Sequence, residues 1–196
     1  AESLENFLLL GGFKPDWTTM HIILPVGISF YTFQTLSYTI DVYRGKCPVC
    51  RDPLTFFLFV AFFPQLVAGP IVRRGELLPQ LMDLPALVSG QIGGGLYRIG
   101  RGMLKKVLLA DIVRVGVVDP IFAEPSRFTS LELLVGLYAY TLQIYYDFSG
   151  YTDIAIGSAR LFGIELPENF HRPYKATSVA GFWRRWHVTL SNWVRD

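Results

Sequence analysis

Charged side chains are scarce in this 196-residue chain: Asp, Glu, Lys and Arg make up 17% of its residues, against about 25% in soluble domains. Hydrophobic residues account for 51% and aromatic residues for 15%. The formal net charge is only +2, so the composition gives no electrostatic footprint for binding nucleic acid. The scarcity of charge favours a membrane protein over a soluble domain.

Two long windows, residues 17–40 and 53–72, contain no Asp, Glu, Lys or Arg. Each could hold a helix of about 20 residues, which is enough to cross a bilayer core. The first window carries polar residues and a proline that a single anchor would not need, so we expect neighbouring helices to cover it. In the second, Pro64 removes a backbone donor. This predicts a broken or re-entrant helix whose segment FFPQLVAGP forms a cavity wall.

Basic residues cluster in the segment that follows Gln91. Arg98, Arg101 and Lys105 recur at helical spacing, with Lys106 beside them and an apolar half after them. This pattern predicts a helix that enters a bilayer from a basic interface; a soluble amphipathic helix is the alternative. The membrane orientation stays open because basic loops flank the second window on both sides.

Two carboxylates, Asp147 and Asp153, interrupt the otherwise apolar segment 131–164. A carboxylate at membrane depth is costly, and by default it is a functional-site hypothesis. The structural alternative is that Asp147 caps a helix at a break near Ser149, while Asp153 pairs with an arginine. Pairing is favoured for Asp153. For Asp147 both interpretations stay open, because the tyrosines around it would line a polar pocket.

Several common sites have no sequence support. Cys47 and Cys50 have CxxC spacing, but they are the only two cysteines and no histidine is near. A tetrahedral zinc site needs four ligands, so we expect incidental thiols and no metal site. The sequence contains no GxGxxG, P-loop or HExxH pattern, which removes the usual nucleotide-binding and metalloprotease motifs.

The sequence ends in an aromatic and basic stretch, GFWRRWHVTLSNWVRD. Pro167 and Pro173 prevent a helix from forming in the preceding segment, which is therefore a loop. Thr177 or Ser178 is predicted to cap the helix that follows this loop. On one continuous helix, Arg184, His187 and Ser191 would share a face with Arg195. His187 is then either an interior polar group bonded to a carbonyl or to Ser191, or an acid or base in a tunnel. The pattern alone leaves both open.

Four stretches carry a resemblance to a known family, in this order: LPVGISFYTFQTLSYTIDVYRG, FFPQLVAGPIVRR, YYDFSGYTDIAIGSARLFGIELPENF and RPYKATSVAGFWRRWHVTLSNWVRD. They resemble the central motifs of the membrane-bound O-acyltransferase superfamily, above all its branch that acetylates bacterial alginate. The branch that transfers D-alanine to teichoic acid has similar motifs. The resemblance implies an all-α, polytopic membrane bundle with broken or re-entrant helices. Residues 1–196 would form part of one such domain, truncated at both ends.

The same resemblance implies the activity. Such an enzyme lies in the bacterial inner membrane as a multi-pass protein and passes an acyl group, most often acetyl, to hydroxyls of an extracytoplasmic polysaccharide such as alginate. The donor would be acetyl-CoA or another acyl thioester, with no tightly bound cofactor, and periplasmic or extracellular acetylation proteins would be partners. A second histidine, in a Trp-His-Gly motif outside this sequence, usually has the central catalytic role. We therefore expect the segment on its own to be inactive.

His187 matches the family's histidine in the FWRRWH-type motif and is the expected catalytic residue. The expected supporting residues of the substrate tunnel are Trp183, Arg184, Trp186, Ser191 and Asn192, with Asp147 as a further candidate. His171 lies in the earlier loop NFHRPY, where the family's sequences are expected to have asparagine (NFNRPY). We interpret it as a residue that forms a hydrogen bond within the loop. The alternative function is a non-enzymatic transporter or channel, which Asp147 and the break at Pro64 would also suit.

Overall fold

The computed structural model describes residues 27–195, with the backbone alone at Ser89. Within this range the chain forms helices and no β-strand, which confirms the predicted all-α class. The helices are α1 (Ile28–Tyr43), α2 (Pro53–Val60), α3 (Arg74–Met82), α4 (Ser89–Met103), α5 (Asp119–Ala123), α6 (Ser130–Arg160), α7 (Val179–Trp183) and α8 (Val188–Arg195). Two π-helical segments, Leu104–Asp111 and Arg114–Val118, lie between α4 and α5. His21, whose place at the start of an apolar window predicts an interfacial position, lies outside the described residues.

The second charge-free window breaks where its proline predicts. α2 ends before Pro64, and a short 3₁₀ turn, Phe63–Gln65, follows. The backbone carbonyl of Phe59 near the end of α2 accepts hydrogen bonds from the side-chain amides of Gln34 (2.7 Å) and Gln65 (2.9 Å). These two amides satisfy a carbonyl that a continuing helix would otherwise bond, and the predicted break is confirmed.

The second charge-free window therefore does not form one long helix. α1 begins at Ile28, and the earlier part of the first window lies outside the described residues. Across residues 27–195, no single helix has both the length and the apolar character needed to cross a bilayer.

α6 packs along α4 and the first π-helical segment, and paired glycines set how closely the helices approach. A Cβ atom built on Gly102 would lie 2.6 Å from the carbonyl oxygen of Gly150, and one on Gly157 would lie 2.7 Å from that of Gly95. Only residues without a side chain fit such contacts between helix backbones. The close approach brings the basic face of α4 against α6.

Asp153 of α6 forms ion pairs with the residues of that basic face. Its carboxylate, 5% exposed, accepts hydrogen bonds from Arg98 Nε (3.1 Å), Arg101 Nη2 (2.6 Å) and Lys105 Nζ (2.7 Å). Arg98 also pairs with Glu168. The predicted pairing of Asp153 is confirmed, and so is the shared helical face. These cations form a contact between helices, and their predicted place at a membrane interface stays a prediction.

α6 is longer and more regular than predicted. Thr129 and Glu132 form a capping box at its start, and the helix runs without a break to Arg160. The break near Ser149, which one of the two interpretations of Asp147 required, does not occur, because Gly150 serves close packing against the neighbouring helix instead of ending α6. Asp147 therefore caps nothing; it forms an ion pair with Lys106.

The core lies where α2, α3 and the end of α6 meet. Its buried hydrophobic side chains are Phe59, Phe62, Val72, Leu77, Leu78, Ile156, Ala159, Ile164 and Leu166. This core anchors both the broken segment before α3 and the loop after α6. These two segments approach the C-terminal helices and shape the site described next.

Candidate functional site

His187 lies in a turn between two short helices, not inside one helix. α7 ends at Trp183 and α8 begins at Val188, and the φ angle of His187 is 44°. Positive φ is uncommon for residues other than glycine and costs on the order of 1 kcal/mol. The predicted continuous helix through GFWRRWHVTLSNWVRD is therefore wrong.

Hydrogen bonds from the loop after α6 hold this turn on both sides of His187. Before it, Phe170 and Trp186 form an antiparallel bridge, and the His171 amide donates to the Arg185 carbonyl (2.9 Å). After it, the Val188 amide donates to the carbonyl of Asn169 (3.0 Å). Because backbone groups beside His187 bond to another segment, they are not free to continue a helical ladder.

The side chain of His187 faces an open pocket with a volume of about 660 Å³. The pocket is lined by Phe30, Val67, Ala68, Lys106, Gln143, Ile144, Asp147, Phe148, Tyr151 and His187. α1, the broken segment, the first π-helical segment and α6 all contribute. Val67 and Ala68 belong to FFPQLVAGP, so the structure places the predicted cavity wall in this pocket.

The imidazole of His187 is mostly enclosed by aromatic rings. Phe148 meets it edge to face with the ring centroids 4.8 Å apart, and Phe30 lies at 6.5 Å. Its Nε2 atom is buried and has no hydrogen-bond partner within residues 27–195. Burial lowers the pKa of His187 from 6.5 to about 4, because an apolar environment disfavours the imidazolium. The imidazole is thus neutral near pH 7 and can act as a base.

The structural alternative for His187 named Ser191 as a partner. The Ser191 hydroxyl instead donates to the backbone carbonyls of Trp183 (3.0 Å) and Trp186 (3.4 Å). Only the backbone amide of Ser191 bonds to His187, at its carbonyl oxygen (3.0 Å). Ser191 therefore stabilises the turn but forms no hydrogen bond with the His187 imidazole.

Trp186 supports the site through packing. Its ring lies 5.0 Å from Phe170 and 5.5 Å from Phe182, with Tyr145, Phe148 and Tyr174 also in contact. Phe148 contacts both Trp186 and His187. The predicted neighbour of the histidine thus belongs to an aromatic wall behind it, which fixes the orientation of the turn.

Asp147 shares the pocket with His187, as the sequence analysis proposed for a tunnel residue. Its carboxylate pairs with Lys106, and both side chains are partly exposed to the pocket. Lys106 lies in the π-helical segment after α4. Irregular helical turns of this kind are frequent at functional sites. The pair gives one part of an otherwise apolar pocket a polar surface.

The remaining predicted site residues lie elsewhere. Trp183, Arg184, Ser191 and Asn192, together with Arg195, line a separate surface pocket of about 390 Å³. The predicted common face is therefore right for Arg184, Ser191 and Arg195 and wrong for His187, because the turn redirects the histidine. These residues do not line the pocket that His187 faces.

The contributors to the His187 pocket that sequence reasoning missed include Phe30, Lys106 and Phe148. Phe148 lies within the YYDFSG motif next to Asp147, and that proximity was the available signal. Lys106 carried a helical-spacing signal, but it was interpreted as part of a basic interface. Phe30 comes from a distant part of the chain, and no local pattern marks its contact with His187.

The described residues offer no metal site in this region: no group of three or more His, Cys, Asp or Glu side chains comes together in residues 27–195. Cys47 and Cys50 are both free thiols. The ionisable side chains that line the His187 pocket are those of Lys106, Asp147, Tyr151 and His187.

Comparison with known proteins points to one family. Over all 196 residues the chain is 43% identical to a probable alginate O-acetylase of Pseudomonas putida, of which it covers 40%. It is 37% identical to a peptidoglycan O-acetyltransferase of Helicobacter pylori, with 98% of the chain and 41% of the relative aligned. It is 28% identical to a teichoic acid D-alanyltransferase of Bacillus subtilis, with 93% and 47% aligned.

The chain thus spans about two fifths of the length of the first two relatives. The profile of the membrane-bound O-acyltransferase family matches residues 51–196, a stretch that includes the broken segment, α6 and the His187 turn. Together with the full-length similarity, this match shows that the chain belongs to the membrane-bound O-acyltransferase family.

Proposed function

We propose that this chain is part of a multi-pass enzyme of the bacterial inner membrane that transfers an acyl group, most simply acetyl, to hydroxyls of an extracytoplasmic polysaccharide. The observation that carries the proposal is the neutral imidazole of His187, a residue that lines a large pocket and whose buried Nε2 has no hydrogen-bond partner among the described residues. The relatives named above act on alginate, peptidoglycan and teichoic acid. Alginate is the acceptor we favour, because its acetylases are more similar to this chain than the teichoic acid enzyme.

Acyl transfer to a hydroxyl requires a base and a polar surface. An acyl thioester such as acetyl-CoA is already activated, so the acceptor hydroxyl needs mainly to lose its proton. His187 Nε2 takes that proton as the hydroxyl oxygen attacks the acyl carbon, the carbon–sulfur bond breaks, and the proton passes to the leaving thiolate. Lys106 and Asp147 supply hydrogen-bonding groups in the same pocket. We therefore assign His187 the role of the base.

The experiment compares two histidine variants of the full-length protein in cells. His187→Ala removes the proposed base and should lower the O-acetyl content of the exported polysaccharide by about 100-fold or more. His171→Ala is the matched control, because His171 is exposed and its described bond uses only the backbone amide. Acetylation is measured by NMR of the purified polymer, and immunoblots of membranes confirm equal insertion.

The alternative function, a transporter or channel, predicts the opposite result. A transporter or channel would move its substrate without acyl transfer, so neither histidine variant would alter polymer acetylation. Unchanged acetylation in His187→Ala, at wild-type membrane levels, would remove the catalytic role of His187. Periplasmic or extracellular acetylation proteins are the partners we propose to receive or deliver the acyl group.

A further inference from the structure

Asn169 is completely buried in the loop between α6 and α7, and it is not among the residues that line the His187 pocket. Its side-chain Oδ1 accepts hydrogen bonds from the Thr189 hydroxyl (2.6 Å) and, at 3.4 Å, from the Thr189 amide. Its backbone carbonyl accepts from the Val188 amide (3.0 Å). One residue thus bonds three groups in the first turn of α8, immediately after His187. Two of these are backbone amides at the start of a helix, which have no partner inside it.

Thr189 extends this contact to a third segment. Its hydroxyl donates to Asn169 and accepts a hydrogen bond from the backbone amide of Ile71 (3.0 Å). Ile71 follows the broken segment that contributes Val67 and Ala68 to the pocket. Thr189 is itself 7% exposed, and Ile71 is equally buried. One buried hydroxyl therefore joins the loop after α6, the start of α8 and the end of the pocket wall.

The position of His187 explains what this junction does. The antiparallel bridge between Phe170 and Trp186 fixes the chain on one side of His187, and the Asn169–Thr189 contacts fix it on the other. Between these anchors, His187 adopts its positive φ angle and turns its side chain to the pocket. An uncommon backbone conformation persists only when the surrounding structure over-determines it.

We propose that Asn169 and Thr189 are positioning residues for His187: they hold its backbone in the left-handed turn, and Thr189 ties that turn to the pocket wall through Ile71. This inference rests on the proposed function for its effect on acyl transfer. Its effect on the geometry of His187 is independent of that function. Neither residue touches the pocket, so neither contributes a reacting group.

The test uses substitutions at Thr189 in the full-length protein. Thr189→Val has nearly the same shape but removes the hydroxyl, and with it the hydroxyl's bonds to Asn169 Oδ1 and to the Ile71 amide. The backbone amides of residues 188 and 189 keep their bonds to Asn169. Thr189→Ser keeps the hydroxyl and should restore wild-type behaviour. Thr39→Val is the matched control, because the bond that the Thr39 hydroxyl makes among the described residues goes to the Thr35 carbonyl within α1 (2.9 Å).

Two readouts separate positioning from general stability. In membrane vesicles, Thr189→Val should lower kcat for acetyl transfer by about tenfold or more while leaving KM unchanged, because small misplacements of a base are costly in rate. Carbethoxylation of His187 by diethyl pyrocarbonate, followed by peptide mass spectrometry, should become faster in Thr189→Val, because a loosened turn exposes Nε2. Thr189→Ser and Thr39→Val should match the wild type in both.

The possible outcomes distinguish this inference from the proposed function. Wild-type kcat and wild-type carbethoxylation in Thr189→Val overturn the positioning role, even if His187→Ala abolishes transfer. Faster carbethoxylation in Thr189→Val, with full activity in His187→Ala, supports positioning and contradicts the proposed function. If Thr189→Val does not accumulate in membranes, Thr189→Ala removes the same hydroxyl in its place. If neither accumulates while Thr189→Ser does, the hydroxyl serves folding and the positioning role is overturned.

Discussion

Two glycines in α4 should respond in opposite ways to the same substitution. A Cβ atom on Gly102 would lie 2.6 Å from the Gly150 carbonyl oxygen and 2.9 Å from the Ile154 amide nitrogen. Both are backbone atoms of α6, so relief requires the helices to separate, at a cost of about 3 kcal/mol. Alanine gains about 1 kcal/mol over glycine in a helix. The free energy of unfolding of Gly102→Ala should therefore fall by about 2 kcal/mol.

Gly100→Ala is the matched comparison in the same helix. A Cβ atom on Gly100 meets no other atom within 4 Å, so only the helical gain of about 1 kcal/mol remains. The two variants should differ by about 3 kcal/mol in free energy of unfolding, measured by titrating the full-length protein in detergent micelles with sodium dodecyl sulfate. Equal stabilities would refute the close packing of α4 against α6.

The remaining predictions concern charge. Asp153→Ala should lower the free energy of unfolding by about 3–5 kcal/mol, because it removes the buried carboxylate that Arg98, Arg101 and Lys105 share and leaves three cations close together. Glu124→Gln breaks the exposed ion pair with Arg127 and should cost less than about 1 kcal/mol. Similar losses in the two variants would contradict the buried cluster. Acetyl transfer should stay near its full rate from about pH 7 down to about pH 5, because burial keeps His187 neutral above its lowered pKa. A half-maximal rate near the ordinary histidine pKa of 6.5 would show that the imidazole is not buried in the working enzyme.

Local sequence patterns predicted the parts of the fold that depend on neighbouring residues. Pro64 marked the broken helix because a missing backbone donor acts within its own turn. The spacing of Arg98, Arg101 and Lys105 placed them on one face, and Asp153 was the carboxylate expected to pair with an arginine. Ser178 caps α7 through a bond from the Gly181 amide to its hydroxyl (3.0 Å), as one of the two predicted caps.

The turn at His187 could not be predicted in the same way. No glycine or proline lies between Gly181 and Asp196, so local propensity favours a continuous helix. The helix is interrupted by hydrogen bonds to Asn169 and by the Phe170 bridge, whose residues lie well before it in sequence. Tertiary contacts therefore override a strong local pattern, and they do so at the residue with the strongest functional signal.

The separation of the candidate site residues has the same origin. In a single helix, the spacing of Arg184, His187 and Ser191 would give one face with one role. Because of the turn, His187 lines one pocket, while Arg184 and Ser191 line the separate surface pocket of about 390 Å³. The pairing of Lys106 with Asp147 likewise depends on the close packing of α6 against the neighbouring helix, which depends in turn on glycines whose role the sequence pattern did not show.

The central claim is that the His187 imidazole serves acyl transfer in its pocket. The most direct measurement follows radiolabelled acetyl from acetyl-CoA into polysaccharide, in membrane vesicles that contain the full-length protein and its partners. We expect label in the polymer for the wild type and for His171→Ala, and a labelling rate lower by about 100-fold or more for His187→Ala. Labelling of the polymer by His187→Ala at the wild-type rate would contradict the account.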